Sequence, residues 1–267
     1  MKKLFISADI EGTCGITAWE ETDADGRGYD YFRQRMTAEV TAAIQGAENA
    51  GYVTTVKDAH DSARNIDPMG LPKSATLIRG WARDLYCMMG GIDQDDYAAV
   101  AFTGYHSEAV NAGNPLSHTM TRSVQRVTLN GEPCPEFLIN AYMAAYRNIP
   151  IVFLSGDEAL CDYAKDLIPG ITTVVAKQGH GSAVISRHPE VVCDEIKAAM
   201  SAALSKKDLS DCYLPLPPYF ELTVEYKDWN TAHKYSFYPG AESVDAKTVK
   251  FESDDYYEVM RFMHFCL

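Results

Sequence analysis

Three short segments of this chain end an apolar run on side chains that bind cations. Asp9-Ile10-Glu11 follows Leu4–Ala8, Asp58-Ala59-His60 follows Tyr52–Val56, and Gly104-Tyr105-His106 follows Ala98–Thr103. Carboxylate oxygen combined with imidazole nitrogen suits zinc, manganese or iron, whereas magnesium and calcium prefer all-oxygen shells. If the backbone is still extended at Asp9, then Asp9 and Glu11 point to one side, because strand side chains alternate with period two. Each of these residues alone also has an ordinary structural use. An aspartate at a strand end caps a helix or starts a turn, and a histidine there hydrogen-bonds backbone. Their convergence is what points to a metal.

The elements that must position them alternate along the chain. Leu4–Ala8 is an unbroken apolar-rich run, as expected for a strand covered on both faces. Met36–Ala50 carries Val40, Ala43, Ile44 and Ala47 at helical spacing and stops at Gly51. Further strands are expected over Ile151–Ser155 and Ile171–Ala176, and helices over Leu138–Tyr146 and Pro189–Leu204. This alternation predicts an α/β fold with a mainly parallel sheet flanked by helices. Ligand sites in such sheets lie outside the carboxyl ends of the strands, so Asp9, Glu11, His60 and His106 are brought to one edge. Val124–Leu129 followed by Asn130-Gly131 predicts a type I′ turn, with a hairpin or a sharp reversal. Pro215, Pro217 and Pro218 mark a boundary. Beyond them Phe220–Tyr226 and Thr248–Phe251 read as strands and Asp254–Phe265 as a helix, a small C-terminal α+β addition. The expected division is an α/β domain over residues 1–212 and a small α+β domain over residues 213–267.

Composition excludes several function classes. The 267 residues are 46% hydrophobic and 23% charged, enough for a proper core. The formal charge of −13 repels phosphate backbones, so no nucleic-acid partner is expected. No run approaches the ~18 apolar residues of a membrane span, and MKKLFISADIEG reads as a strand and not as a signal peptide. Seven scattered cysteines without a CxxC pair read as reduced, buried thiols, and the cytoplasm is the expected location.

The segments SADIEG, KDAH, TGYHS, SHTM and NGEPCPEFLINAY, continuing through VFLSGDE, LIPGITTVVAKQ and FELTVEY, are similar in order and spacing to those of the zinc-dependent D-aminopeptidase family. The resemblance spans nearly the whole chain. It implies two zinc ions per subunit held by Asp9, Glu11, His60, His106 and Glu136. In the implied pattern Asp9 bridges both ions, Glu11 and His106 serve one, and His60 and Glu136 serve the other. Each ion then has an Asp, a Glu and a His and keeps an open position. Without the resemblance Glu136 reads as a helix-start acid. The family's active-site histidine falls on His118. Proton transfer to the leaving amine suits that imidazole better than nucleophilic attack, since a two-metal site already activates water.

The resemblance further implies removal of N-terminal D-amino acids from short peptides or amides, by a homo-oligomer of stacked pentameric rings. A related metallo-amidohydrolase acting on an L- or γ-linked peptide or amide is the alternative. A non-enzymatic member is expected to lack ligands, and all five are present. Two stretches depart from the family pattern: the loop over residues 107–117 is slightly longer, and residues 178–183 are glycine-rich. Both are expected to border the substrate. His233 and His264, in the tail, are expected to be surface or packing residues.

Overall fold

The computed structural model describes residues 1–267. The first half of the chain forms β1 (Lys2–Ala8), α1 (Tyr29–Asn49), β2 (Tyr52–Asp58), β3 (Thr76–Ile78), β4 (Ala99–Tyr105), β5 (Val124–Leu129) and β6 (Glu132–Pro133). Then follow α2 (Glu136–Tyr146), β7 (Ile151–Asp157), α3 (Glu158–Leu167), β8 (Thr172–His180), β9 (Ala183–Ser186) and α4 (Pro189–Leu204). The tail adds β10 (Phe220–Tyr226), α5 (Trp229–Tyr235), β11 (Ala241–Ser243), β12 (Thr248–Ser253) and α6 (Tyr256–Cys266).

The main sheet has the order β3-β2-β1-β4-β7-β8-β9. Every pairing in it is parallel except the β8–β9 hairpin at the edge. The expected α/β architecture is thus present. Period two along β1 assigns its faces: Leu4 and Ile6 pack with Val40 and Ile44 of α1 and Ile196 of α4, while Phe5 joins Phe102, Phe137 and Ile139 on the other side. From β1 the chain moves outward to β2 and β3, then returns to β4 on the opposite side of β1. This reversal makes a crevice between the carboxyl ends of β1 and β4, the usual place for a ligand in open sheets. Register brings the strand ends level there, with Ala8 opposite both Asp58 and Thr103.

The two exits run very close. The Gly12 N–H donates to the Gly104 carbonyl at 2.8 Å, and a Cβ on Gly12 would lie 1.8 Å from the Tyr105 oxygen. Gly12→Ala is therefore expected to force the exits apart and to cost about 1–3 kcal/mol or more, the scale of overpacking. Urea unfolding of the metal-free and zinc-loaded protein measures it. An unchanged midpoint in both would show that the exits tolerate separation.

The second sheet has the order β11-β12-β10-β5-β6 and is antiparallel throughout. Asn130 (φ 54°) and Gly131 (φ 82°) form the left-handed pair expected between β5 and β6. This sheet takes strands from both sides of residue 213. β10 is central and apolar on one face, so it needs a partner on each edge. β12 supplies one, and β5 supplies the other through the pairs Leu222–Leu129 and Val224–Val127. The Asn130 side chain clips the pairing by donating to the Tyr219 carbonyl at 3.1 Å and accepting from the Glu221 N–H at 2.7 Å.

Some boundaries differ from the periodicity. α1 starts at Tyr29, after Gly28 at φ 92°, because its first turns are mostly polar and conceal the helical spacing. α3 and α5 had no sequence reading. Each is short and starts at a cap: Asp157 accepts from the Leu160 N–H, and Asp228 from the Thr231 N–H; α3 also carries Leu160, Cys161 and Ala164 at helical spacing on its buried face. No helix is long and apolar enough to cross a membrane.

Candidate metal centre

Asp9 leaves β1 still attached to β4, its N–H donating to the Thr103 carbonyl at 2.8 Å. Glu11 lies in the following turn. His60 is carried past the end of β2 by a loop that Asp58 closes, accepting from the Asn65 N–H at 2.6 Å and the Ile66 N–H at 2.8 Å. Asp58 is thus occupied structurally. His106 follows β4 directly. Glu136 opens α2, which packs on β4 through Phe137 and Phe102 with ring centroids 5.2 Å apart. Glu136 Oε1 accepts the Met120 N–H at 2.7 Å, which fixes the chain beside His118. Asp9, Glu11, His60, His106 and Glu136 are all buried.

The three imidazoles are oriented alike. His60 Nε2 lies 3.1 Å from the Thr22 carbonyl, His106 Nδ1 2.8 Å from the Ser107 carbonyl, and His118 Nδ1 3.0 Å from the Leu116 carbonyl. A carbonyl only accepts, so the nitrogen facing it carries the proton and the opposite nitrogen is left free, the usual arrangement for a metal-ligating histidine. Those opposite nitrogens all face carboxylates. His60 Nδ1 is 3.3 Å from Asp9 and 3.1 Å from Glu11. His106 Nε2 is 3.5 Å from Asp9 and 3.6 Å from Glu136. His118 Nε2 is 3.6 Å from Glu136 and 4.0 Å from Glu11.

Donor atoms therefore gather in overlapping groups, each within 4.8 Å: Asp9, Glu11 and His60; Asp9, His106 and Glu136; and Glu11, His106 and His118. Asp9 belongs to the first two, as a bridging ligand must. Glu11 and His106, expected to serve one ion together, share the third group with His118, while Glu11 also approaches His60 and His106 also approaches Glu136. His118, expected to stand outside the ligand set, stacks on His106 at 4.4 Å between ring centroids and borders the donors.

The chemistry of the donor set fits zinc. Asp9 Oδ2, Glu11 Oε2 and His106 Nε2 are buried and make no well-formed hydrogen bond, although Glu11 Oε2 lies 3.1 Å from His60 Nδ1 and Asp9 Oδ2 lies 3.5 Å from His106 Nε2. Leaving such atoms unpaired costs about 1–3 kcal/mol each, more when charged, and a shared cation would satisfy all three. Burial, then Glu11, push the Asp9 carboxyl up to about 8. Burial opposes the charged form of His60 and His106, but the carboxylates outweigh it, holding His60 well above its ordinary value and raising His106 to about 10. The same imidazoles draw Glu11 and Glu136 down against their burial. His118 moves the other way: burial, then the neighbouring His106, lower it.

Behind the donors lies a polar support without a sequence reading. The buried Lys177 ammonium donates to the Glu11 carbonyl and to the Ile16 carbonyl at 2.7 Å. Asn114 Nδ2 donates to the Glu11 carbonyl at 3.0 Å and to Asp157 at 3.2 Å. Asp157 in turn accepts from the Ser107 N–H at 2.7 Å and its hydroxyl at 2.6 Å. The turns carrying Glu11 and His106 are thus tied to one buried lysine and one buried aspartate. The available signal was a lysine continuing the apolar run Ile171–Ala176.

The centre opens into a cavity of about 500 Å³. Its lining includes Met88, Ile139 and Asn140, Met260 and Met263 of α6, and Trp19, Asp23 and Arg122. Neither residues 107–117 nor residues 178–183 line it. Those two stretches instead pack on each other, the Gly179 N–H donating to the Gly113 carbonyl at 3.0 Å. His264 does line the cavity, because α6 folds back beside α2, whereas His233 lies on α5 away from it. All seven cysteines are free thiols. Cys87 borders the cavity, but burial pushes its thiol up to about 11, which keeps it protonated.

The family described as D-aminopeptidase matches residues 1–265. A curated D-aminopeptidase of Bacillus subtilis (strain 168) is 31% identical over 264 residues, covering 98% of this chain and 95% of that protein. The solved structure described as the Zn-dependent D-aminopeptidase DppA from Bacillus subtilis, a self-compartmentalizing protease, superposes with a TM-score of 0.91. Its identity is 30%, covering 99% of this chain and 96% of that one.

Proposed function

Because the chain belongs to the D-aminopeptidase family, we propose that it is a zinc-dependent aminopeptidase that removes N-terminal D-residues from short peptides or amides. The observation that carries the reading is the convergence of three buried donor atoms without a well-formed hydrogen bond, on Asp9, Glu11 and His106, beside His60 and Glu136. Two zinc ions per chain are the corresponding reading, supported by the overlap of three donor groups, two of which contain Asp9.

Bound zinc supplies polarisation of the scissile carbonyl and acidification of water. The chain's own groups do the rest. Asp9 fixes the spacing of the two donor groups. His118, with Nδ1 engaged by the Leu116 carbonyl, presents Nε2 as the proton carrier for the leaving amine. Its lowered pKa keeps it from being permanently charged. Asp61 and Asp84, which line the cavity, favour a cationic amino terminus. Met88, Met260 and Met263 give the cavity an apolar wall that excludes water from one side.

The related solved protein is described as self-compartmentalizing. Assembly of this chain into a homo-oligomer, in stacked pentameric rings, is the corresponding reading. The exposed Trp229, Phe237 and Phe265 supply apolar surface for such contacts. A cytoplasmic location agrees with seven free thiols.

Paired D- and L-alaninamide assays with added zinc test the substrate reading. D-alaninamide is expected to be cleaved at least ~10-fold faster, an energy difference of about 1.4 kcal/mol in the transition state. Comparable rates on both, or activity on the L-amide alone, would remove the D-preference and leave a metallo-amidohydrolase. No turnover of any short amide by fully zinc-loaded protein would remove both.

A further inference from the structure

Beside the main cavity lies a second one of about 230 Å³, and the two share Trp19, His118 and Arg122. Its remaining walls include Ser117, Gln125 and Lys227. The chain carries a net charge of −13, yet the charged side chains lining this cavity are cations only, with no carboxylate among them. Lys227 has no ion-pair partner, and Arg122 meets only Asp23, at 3.8 Å. Ser117 Oγ is buried without a hydrogen-bond partner. Such a set of donors and cations recognises a carboxylate.

Its place relative to His118 gives the carboxylate an identity. The Trp19 ring lies edge-on to His118 at 5.1 Å, and the Arg122 guanidinium stands over the same indole at 4.7 Å. The second cavity is therefore on the side of the proton carrier, where the leaving amine departs. In an unblocked short peptide the fragment that leaves carries the free C-terminal carboxylate. His118 and Arg122 both contact the one Trp19 ring, and an extended residue spans at most about 3.3–3.6 Å, so a short leaving fragment suffices to reach from one to the other.

We propose that Arg122 and Lys227 form a carboxylate subsite for the leaving fragment, making the preferred substrates short peptides with a free C-terminus. This rests on the aminopeptidase reading above, and the subsite itself needs no turnover to be detected.

The experiment compares D-Ala-D-Ala with its C-terminal carboxamide on the zinc-loaded wild type, Arg122→Gln, Lys227→Gln, the double variant and Arg122→Lys. The wild type is expected to favour the free acid by roughly 10–100-fold in kcat/KM, mostly through KM, the scale of hydrogen bonds to a charged group. The double variant is expected to lose that preference, and Arg122→Lys to keep part of it. In parallel, N-acetyl-D-alanine and N-acetyl-D-alaninamide, which lack the free amine, are titrated calorimetrically into the same proteins. Tighter binding of the acid, weakened in both Gln variants, is the expected result.

Equal kcat/KM for acid and carboxamide in the wild type would overturn the subsite and leave the aminopeptidase standing. So would a preference that survives the double substitution. Carboxylate-dependent binding by a protein that hydrolyses no D-peptide would support the subsite and overturn the aminopeptidase.

Discussion

Asp9→Ala is expected to strip both zinc ions and to lower kcat/KM on a D-aminoacyl amide by at least ~10⁴-fold, because both donor groups lose their common member. Glu11→Ala removes a donor from the group shared with His60 and leaves Asp9, His106 and Glu136 intact. Its expected loss is nearer ~10²-fold, with one ion retained. Zinc per chain and initial rate, measured on both variants, decide the matter. Equal losses with one ion kept in each would contradict the bridging role of Asp9. Stability gives a second readout of opposite sign. Burial and Glu11 raise the Asp9 pKa to about 8. A carboxyl raised on folding is comfortable while protonated, and its contribution is lost as pH climbs from its unfolded value through the folded one. At neutral pH the metal-free Asp9→Ala protein is therefore expected to unfold at higher urea than the metal-free wild type, while added zinc no longer raises the midpoint.

His118→Ala is expected to keep both ions and to lose turnover by roughly 10²–10⁴-fold, the scale of a general acid–base group. The side chain is placed for that role by the Leu116 carbonyl, by the Trp19 edge and by stacking on His106. Its Nε2 nevertheless lies 3.6 Å from Glu136, within reach of the donors. Zinc content separates the roles: loss of an ion in His118→Ala would make His118 a ligand, and a near-normal rate would make it a packing residue.

Much of the metal centre was legible because it follows from strand ends. Asp9, Glu11, His60 and His106 each come directly after an apolar run, and a parallel sheet must deliver such residues to one edge. Glu136 was not legible in this way, since it opens a helix, and its place depends on how α2 lies across β4. Which histidine meets which carboxylate was not legible either, since it depends on the lateral order β2-β1-β4, and periodicity carries no information about lateral order. Asn130-Gly131 announced its turn, because the left-handed conformation selects those residue types. Nothing local announced that β5 would pair with β10, because that preference is a matter of long-range burial. His264 and the methionines of α6 were missed as cavity residues for the same reason.

The β5–β10 pairing has a consequence for the order of events when the chain folds. Leu129 and Leu222 are neighbours in space but far apart along the chain, and contacts of such separation form late, since a long loop must close first. β5 leads through its hairpin directly into α2 and Glu136. Asp9, His60 and His106 depend only on strands β1, β2 and β4, which come from the first 105 residues and can assemble early. Glu136 is thus the ligand tied most closely to that late pairing, and zinc uptake during refolding is expected to lag behind collapse of the β1-β2-β4 core, a delay that stopped-flow refolding with a zinc indicator measures.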